Sequence, residues 1–327
     1  MIKNIAIVTG GDQSEIVVSL KSAEGLKSFI DHSKYNLYVV ILEKSNWRLR
    51  LDSGIEVTID KNDFSAIVDG QKVTFDCVYN TIHGMPGEDG KLQGYLDMLS
   101  IPYTSSGVLA SSVTFNKFFC NTYLKAFGIK SAESLMLRKG MAITTDEVIS
   151  RVGLPCFIKP NAGGSSFGVT KVIQTTDILP AIEKAFKESD EIIIESFIKG
   201  TEVTNGIYKT LDREVVMPVT EVVPKNEYFD FEAKYTPGMA DEITPARISE
   251  ELTQRIQKLT SAIYNILGCK GIVRIDYIIS DQTIYLLEVN TTPGMTLTSF
   301  IPQQIKAMNV PIADVFTEII EDAIKRA

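Results

Sequence analysis

Two hydrophobic periods alternate along the chain of 327 residues. Ile5–Val8 is a short, continuous apolar run that stops at Gly10-Gly11. Ile16, Leu20, Ala23, Leu26 and Ile30 then recur at helical spacing, with Ser14 in position to cap the helix. A second continuous run occupies Leu37–Leu42. Strand, helix and strand in that order predict a parallel sheet with both faces covered, and a strand at Phe75–Thr81 would join it. That strand runs into a turn rich in glycine and acid, His83-Gly84-Met85-Pro86-Gly87-Glu88-Asp89-Gly90. Residues 1–104 therefore read as an α/β domain.

The pattern changes after residue 104. A helix is predicted over Thr114–Phe127, with Phe115, Phe118, Phe119, Thr122 and Ala126 on one face and Lys117 pointing away. Short strand-like runs follow at Cys156–Lys159, Val169–Gln174 and Ile192–Glu195, interrupted by a helix over Ile178–Phe186. Residues 105–194 thus read as α+β. In residues 195–327, strands are predicted at Val203–Tyr208 and Val215–Val223, and helices on Leu252, Ile256, Leu259, Ile263 and Ile266 and on Ile312, Val315, Phe316, Ile319, Ala323 and Ile324. The polar stretch 225–245 is long for a connection and reads as a mobile, functional lid.

Composition narrows function more than fold. The 33 basic residues against 41 acidic ones leave a net charge of −8, which argues against a protein built to hold nucleic acid or an anionic membrane. Cys77, Cys120, Cys156 and Cys269 are widely spaced with no Cys-x-x-Cys pair. They read as buried thiols of a reducing compartment, not as a disulfide frame or a zinc site. The amino terminus has too short an apolar run for a signal peptide, and no run would span a bilayer. The expectation is a cytoplasmic protein.

Candidate chemistry concentrates in a few segments. The hairpin IVRIDYIISDQTIYLLEVNTTPGM, residues 272–295, carries Arg274, Asp276, Glu288 and Asn290 among apolar neighbours. If Ser280 pairs with Ile284 across a three-residue turn, Asp276 faces Glu288 and Arg274 faces Asn290, all on one side of the sheet. Facing carboxylates repel unless a positive charge lies between them. Oxygen donors from Asp276, Glu288 and Asn290 suit Mg²⁺ completed by water and phosphates. A solvated edge pair neutralised by Arg274 fits the same pattern. In CFIKPNAGGSSFGVTKV, residues 156–172, Lys159 precedes a glycine- and serine-rich turn that could bring backbone N–H groups to phosphate. It lacks Walker A spacing, and an ordinary β-turn is the alternative. The strand Ile192–Glu195, its continuation Ser196-Phe197-Ile198, and Glu202 could meet adenine and ribose, or form a buried strand with exposed acids. GGDQSE, residues 10–15, places Glu15 in a first helical turn, where an acid repels anions and suits an ammonium. His83 ends a strand at the carboxyl edge of a parallel sheet, where such folds bind ligands, whereas His32 reads as surface.

Taken in order, GGDQSE, HGMPGEDGKLQG, FIKPNAGGSSFGV, IIIESFIKGTEV, FDFEAKY, GCKGIVRIDYII and LLEVNTTPGMT span the whole chain. The sequence resembles the D-alanine–D-alanine ligases of the ATP-grasp superfamily. The resemblance implies an ATP-grasp fold behind a Rossmann-like first domain, with ATP between the second and third domains. It implies phosphate contacts from Lys117, Lys159, Ser166 and Lys234, adenine contacts from Glu195, Ser196, Phe197 and Ile198, and a ribose contact from Glu202. Asp276, Glu288 and Asn290 would hold two Mg²⁺ ions, for which Mn²⁺ can substitute. Glu15 would bind the first D-alanine's ammonium in a network with Ser165 and Tyr235. Arg274 and the Gly294 backbone would steady the oxyanion, Ser299 would hold the second D-alanine's carboxylate, and His83 joins the catalytic set. The product would be a dipeptide precursor of peptidoglycan, made by a homodimer associating through the first domain.

Departures from the family pattern are Gln13 in place of a serine, and Phe229 and Phe231 in place of tyrosines before the lid's Glu-Ala-Lys-Tyr. Tyr235 matches the dipeptide-forming members, since ester-forming members often carry phenylalanine there.

Overall fold

The computed structural model describes residues 2–11, 15–163, 168–224 and 240–326. In the first sheet, β1 (Lys3–Gly10) pairs in parallel with β2 (Tyr35–Glu43) and with β7 (Cys77–Asn80). The strands β3 (Asn46–Arg50) and β4 (Glu56–Thr58) extend it in antiparallel fashion, giving the order β4-β3-β2-β1-β7. The parallel expectation thus holds at the centre only. Residues 44–45 are too few for the crossover a parallel β3 would need, so the chain turns back on itself. A separate ribbon of β5 (Ala66–Val68) and β6 (Gln71–Val73) lies between β4 and β7 in sequence.

Both faces of the first sheet are covered. Ala6, Val8, Val40 and Leu42 pack with Phe64, Ile82, Leu92 and Leu96, the last two from α2 (Lys91–Met98). Ile5 and Ile7 pack on the other face with Leu26 and Ile30, and with Phe316 and Ile319 from the far end of the chain. Leu26 belongs to α1 (Ile16–Phe29), whose buried face is Ser19, Ser22, Ala23, Gly25 and Leu26, not the purely apolar stripe expected. Glu15 caps it without a side-chain bond, and Ser14 lies outside the described residues. The small side chains have a use: a Cβ on Gly25 would lie 2.0 Å from the Met295 carbonyl oxygen, so only glycine lets the 291–299 loop settle against this helix.

The helix expected over Thr114–Phe127 is two helices, α3 (Val108–Phe115) and α4 (Lys117–Lys125), broken at Asn116. The buried face of α4 is Cys120, Asn121 and Leu124, whereas Phe119 is 50% exposed, so the expected aromatic face is wrong. A capped restart at Asn116 sets a new helical phase. A second, antiparallel sheet follows in the order β10-β9-β11-β8, from β8 (Ser134–Arg138), β9 (Cys156–Pro160), β10 (Thr170–Val172) and β11 (Glu191–Ser196). α5 (Thr145–Arg151), with a Thr144/Glu147 capping box, and α6 (Ile178–Ala185) cover it with Val148, Ile178 and Ile182.

The third sheet has the order β14-β13-β12-β15-β16 and is antiparallel throughout. It comprises β12 (Thr201–Lys209), β13 (Glu214–Pro224), β14 (Ala240–Ile243), β15 (Gly271–Ser280) and β16 (Thr283–Asn290). α7 (Glu250–Ile266), capped by Ser249, packs Ile256 and Ile263 on one face against Val203, Val273 and Ile275. α8 (Phe300–Ala307) and α9 (Ile312–Lys325) carry Ile301, Ile305, Phe316 and Ile320 into the cluster that also holds Ile5 and Ile7.

Candidate active site

The β15–β16 hairpin brings the four expected polar residues together, but by another route than a three-residue turn. The turn is the two residues Asp281-Gln282, both at positive φ (45° and 64°), and Ser280 pairs with Thr283. That register alone would put Asp276 opposite Leu287. A bulge in β16 between the partners of Asp276 and Tyr277 adds one residue, so Asp276 faces Glu288 and Arg274 faces Asn290 after all.

Asp276 is the hub. Arg274 donates to it twice, Nε to Oδ1 at 2.9 Å and Nη2 to Oδ2 at 2.8 Å. Thr204 Oγ1 donates at 2.5 Å and Asn290 Nδ2 at 3.1 Å. Glu288 has Arg274 Nη2 at 3.9 Å on one oxygen and Lys117 Nζ at 3.9 Å on the other. The Arg274 guanidinium also lies 5.4 Å from the Phe300 ring centroid. Among the described residues no group of three His, Cys, Asp or Glu is arranged to hold a metal. The donor set is two carboxylates and one amide, which fits a hard cation only if substrate oxygens and water complete its shell.

Lys117 is the first residue of α4, and its ammonium donates to the Gly163 carbonyl at 2.5 Å, where the glycine-rich turn begins. Burial lowers its pKa, against the pull of Glu288. Lys159 pairs with Glu195 at 2.5 Å, and Asn121 Nδ2 donates to the same carboxylate at 3.1 Å. Burial opposes the charge on Lys159, but Glu195, with Glu288 and Glu202 behind it, outweighs burial and raises its pKa. Glu202 on β12 is therefore within electrostatic reach of the lysine. Ser196 is tied to the Glu133 backbone, Phe197 takes Lys171 over its ring at 4.0 Å, and Ile198 follows in the half-buried link to β12.

Residues of the first domain reach the same cluster, His83 within electrostatic reach of Arg274 and Glu88 within reach of Lys117 and Glu288. Glu15 is buried at the start of α1. His83 donates its backbone N–H to Ser19 Oγ (3.0 Å), and its Nε2 lies 3.1 Å from Ser22 Oγ, which accepts from the Met295 amide at 3.2 Å. Burial, then Arg274, push the His83 pKa down to about 4, so the ring is neutral at pH 7. Gly294 sits beside Ser299: a Cβ there would lie 3.0 Å from Ser299 Oγ, which accepts from the Thr296 amide at 3.0 Å. Ser165, Ser166, Lys234 and Tyr235, with Gln13, Phe229 and Phe231, lie outside the described residues, as do residues 225–239 of the lid expected over 225–245, whose end at Ala240–Ile243 is the sheet strand β14.

Glu88, in the turn after β7, joins the site although its motif does not assign it a role. Its carboxylate accepts from the Gly84 N–H at 2.6 Å. Burial, then Glu15, raise its pKa to about 8, with Lys117 opposing. A carboxyl whose pKa is raised by folding stabilises the fold below its ordinary pKa of 4.5, and that contribution is lost as pH rises through about 8. Glu88→Gln keeps an acceptor and cannot ionise. The melting temperature of the unmodified protein relative to Glu88→Gln is expected to fall between about pH 5 and about pH 9. A difference constant with pH would show that Glu88 pays no burial cost.

Family models for the D-Ala–D-Ala ligase N-terminus and C-terminus match residues 4–106 and 123–321. A D-alanine–D-alanine ligase of Phocaeicola vulgatus is 62% identical over 323 residues, covering 98% of this chain and 99% of the relative. The D-alanyl-alanine synthetase A of Vibrio cholerae superposes with a TM-score of 0.89 at 27% identity, over 99% of both chains. A D-alanine–D-alanine ligase of Bacillus anthracis complexed with ATP superposes at 0.78 and 26% identity, over 99% of this chain and 98% of that one.

Proposed function

The chain belongs to the D-alanine–D-alanine ligase family, with the ATP-grasp fold, and from that premise we propose the following division of labour in its cleft. The protein is an ATP-dependent ligase that joins two D-alanines for peptidoglycan precursor synthesis. The carboxylate of the first D-alanine attacks the γ-phosphorus and ADP leaves, giving an acyl phosphate. The amine of the second attacks that carbonyl, loses a proton, and expels phosphate.

Such a reaction needs in-line positioning and charge neutralisation more than a strong base. The observation that carries the reading is the connected cluster of cationic and anionic side chains, Lys117, Lys159, Arg274, Asp276 and Glu288. The two lysines bind ATP phosphates, and Glu195 to Ile198 and Glu202 serve adenine and ribose. Asp276, Glu288 and Asn290 would hold Mg²⁺, which supplies charge neutralisation on the phosphates when bound. Glu15 takes the first ammonium, and Arg274 with the Gly294 amide faces the oxyanion. Ser299 takes the second carboxylate. Neutral His83 holds Ser22, and through it the 291–299 loop, against α1. The family resemblance also supports a cytoplasmic homodimer formed through the first domain.

Phosphate release from Mg-ATP with D-alanine, L-alanine or no amino acid, combined with product mass, tests the reaction. Release only with D-alanine and a dipeptide mass are expected. Release with L-alanine would overturn the substrate, and release independent of any amino acid would leave a nucleotide hydrolase or regulator.

A further inference from the structure

The break between α3 and α4 creates three helix-start amides, those of Lys117, Phe118 and Phe119, beside the cluster that holds Glu288. All three are satisfied, and two of them by Asn161, more than 40 positions away in sequence. Lys117 N–H donates to the Asn161 carbonyl at 3.1 Å, and Phe118 N–H donates to Asn161 Oδ1 at 2.9 Å. Phe119 N–H donates to Asn116 Oδ1 at 3.0 Å, which also accepts from Asn161 Nδ2 at 2.9 Å. Asn161 is fully buried and is anchored in turn: its N–H donates to the Glu191 carbonyl at 2.9 Å and its Nδ2 to Glu191 Oε2 at 3.2 Å. Arg138 holds the other Glu191 oxygen at 2.8 Å.

We infer that Asn161 is a positioning residue that joins Lys117 and the opening of the glycine-rich turn into one rigid unit. Asn161 caps the helix that carries Lys117 and lies two residues before Gly163, whose carbonyl receives the Lys117 ammonium. A cation at a helix start is opposed by the helix dipole, and this one is also desolvated. The Lys117 ammonium is held by the Gly163 carbonyl and Glu288, and Asn161 adds a hold on the Lys117 backbone from outside the helix. The same bonds occupy the amides that would otherwise attract phosphate to the start of α4, so the lysine side chain, not the helix end, is left to meet an anion.

The consequence for ATP rests on the reading that Lys117 binds phosphate, and two readouts separate the claims. Labelling of Lys117 by an amine-reactive reagent, read by peptide mass without nucleotide, is expected to speed up about fivefold or more in Asn161→Ala, since a lost cap frees the helix start. Unchanged labelling would overturn the positioning role. Affinity for a non-hydrolysable ATP analogue with Mg²⁺ is expected to drop about tenfold in Asn161→Ala but less than about twofold when it is added to Lys117→Ala. Equal losses in both backgrounds would overturn action through Lys117. Accelerated labelling with no affinity loss in Lys117→Ala would keep the positioning role and remove Lys117 from the phosphates. A general fold defect predicts a raised KM for D-alanine too. The positioning role predicts that this KM stays unchanged, and that Asn161→Asp combined with Glu191→Gln, which restores an acceptor to Phe118 N–H without facing carboxylates, recovers ATP affinity.

Discussion

Arg274→Ala is expected to lower kcat by about 10²–10³-fold while raising the KM for ATP far less. The guanidinium is already committed in the ground state to Asp276 and, at longer range, to Glu288. Its fixed positive charge acts most on charge that develops on a reacting carbonyl, and such charge is larger in the transition state than in bound substrate. Removing it leaves Asp276 still held by Thr204 and Asn290, so the fold persists and the loss falls on chemistry. It also leaves Asp276 and Glu288 facing each other without the cation between them. Arg274→Lys is expected to recover only part of the rate, because one ammonium cannot hold Asp276 by two bonds and also reach the substrate. Steady-state kinetics of both variants, with thermal melts to verify folding, decide the point. Equal damage to ATP binding and kcat would assign Arg274 to the ground-state phosphates instead.

Most of this site was legible because sheet geometry is periodic. Alternation puts Arg274 with Asp276 on one side of β15 and Glu288 with Asn290 on one side of β16, and the register decides that the two pairs share a face. The cross-strand pairs were nevertheless reached through two offsetting differences. A turn one residue shorter than expected and a bulge one residue long cancel, and no feature of the side-chain pattern marks a bulge at Leu287. The break at Asn116 escaped for a related reason. Phe115, Phe118, Phe119 and Thr122 fit one uninterrupted helical face, and Asn161, which reinforces the capped break by accepting from Phe118 N–H and donating to Asn116 Oδ1, comes from a distant segment. Glu88 was visible as a letter in a turn, but its raised pKa comes first from burial and then from Glu15, with Lys117 opposing, and all of these depend on other segments packing around it. The Lys159–Glu195 pair likewise follows from the register of β9 against β11, which no local pattern encodes.

Glu288→Gln carries the second large effect, and its sign differs between two measurements. Around the proposed phosphate site, Lys117, Lys159 and Arg274 are balanced by Glu195, Asp276 and Glu288. Neutralising Glu288 shifts that balance toward positive charge by one unit. Metal-free ATP, an anion, should then bind as well as before or more tightly. A hard divalent cation loses one of its two carboxylates, and an amide oxygen is a poor replacement for it. Turnover at a fixed Mg²⁺ concentration is therefore expected to fall by roughly 10²-fold or more, and the Mg²⁺ concentration for half-maximal rate to rise. A purely structural role would weaken both forms of the nucleotide together, since Lys117 would lose its partner and drift from the cleft. Divergent effects on metal-free and metal-bound nucleotide thus identify Glu288 as a metal ligand. An unchanged Mg²⁺ midpoint with near-normal kcat would remove it from that role, and would leave Asp276 and Asn290 too few donors to hold the ion between them.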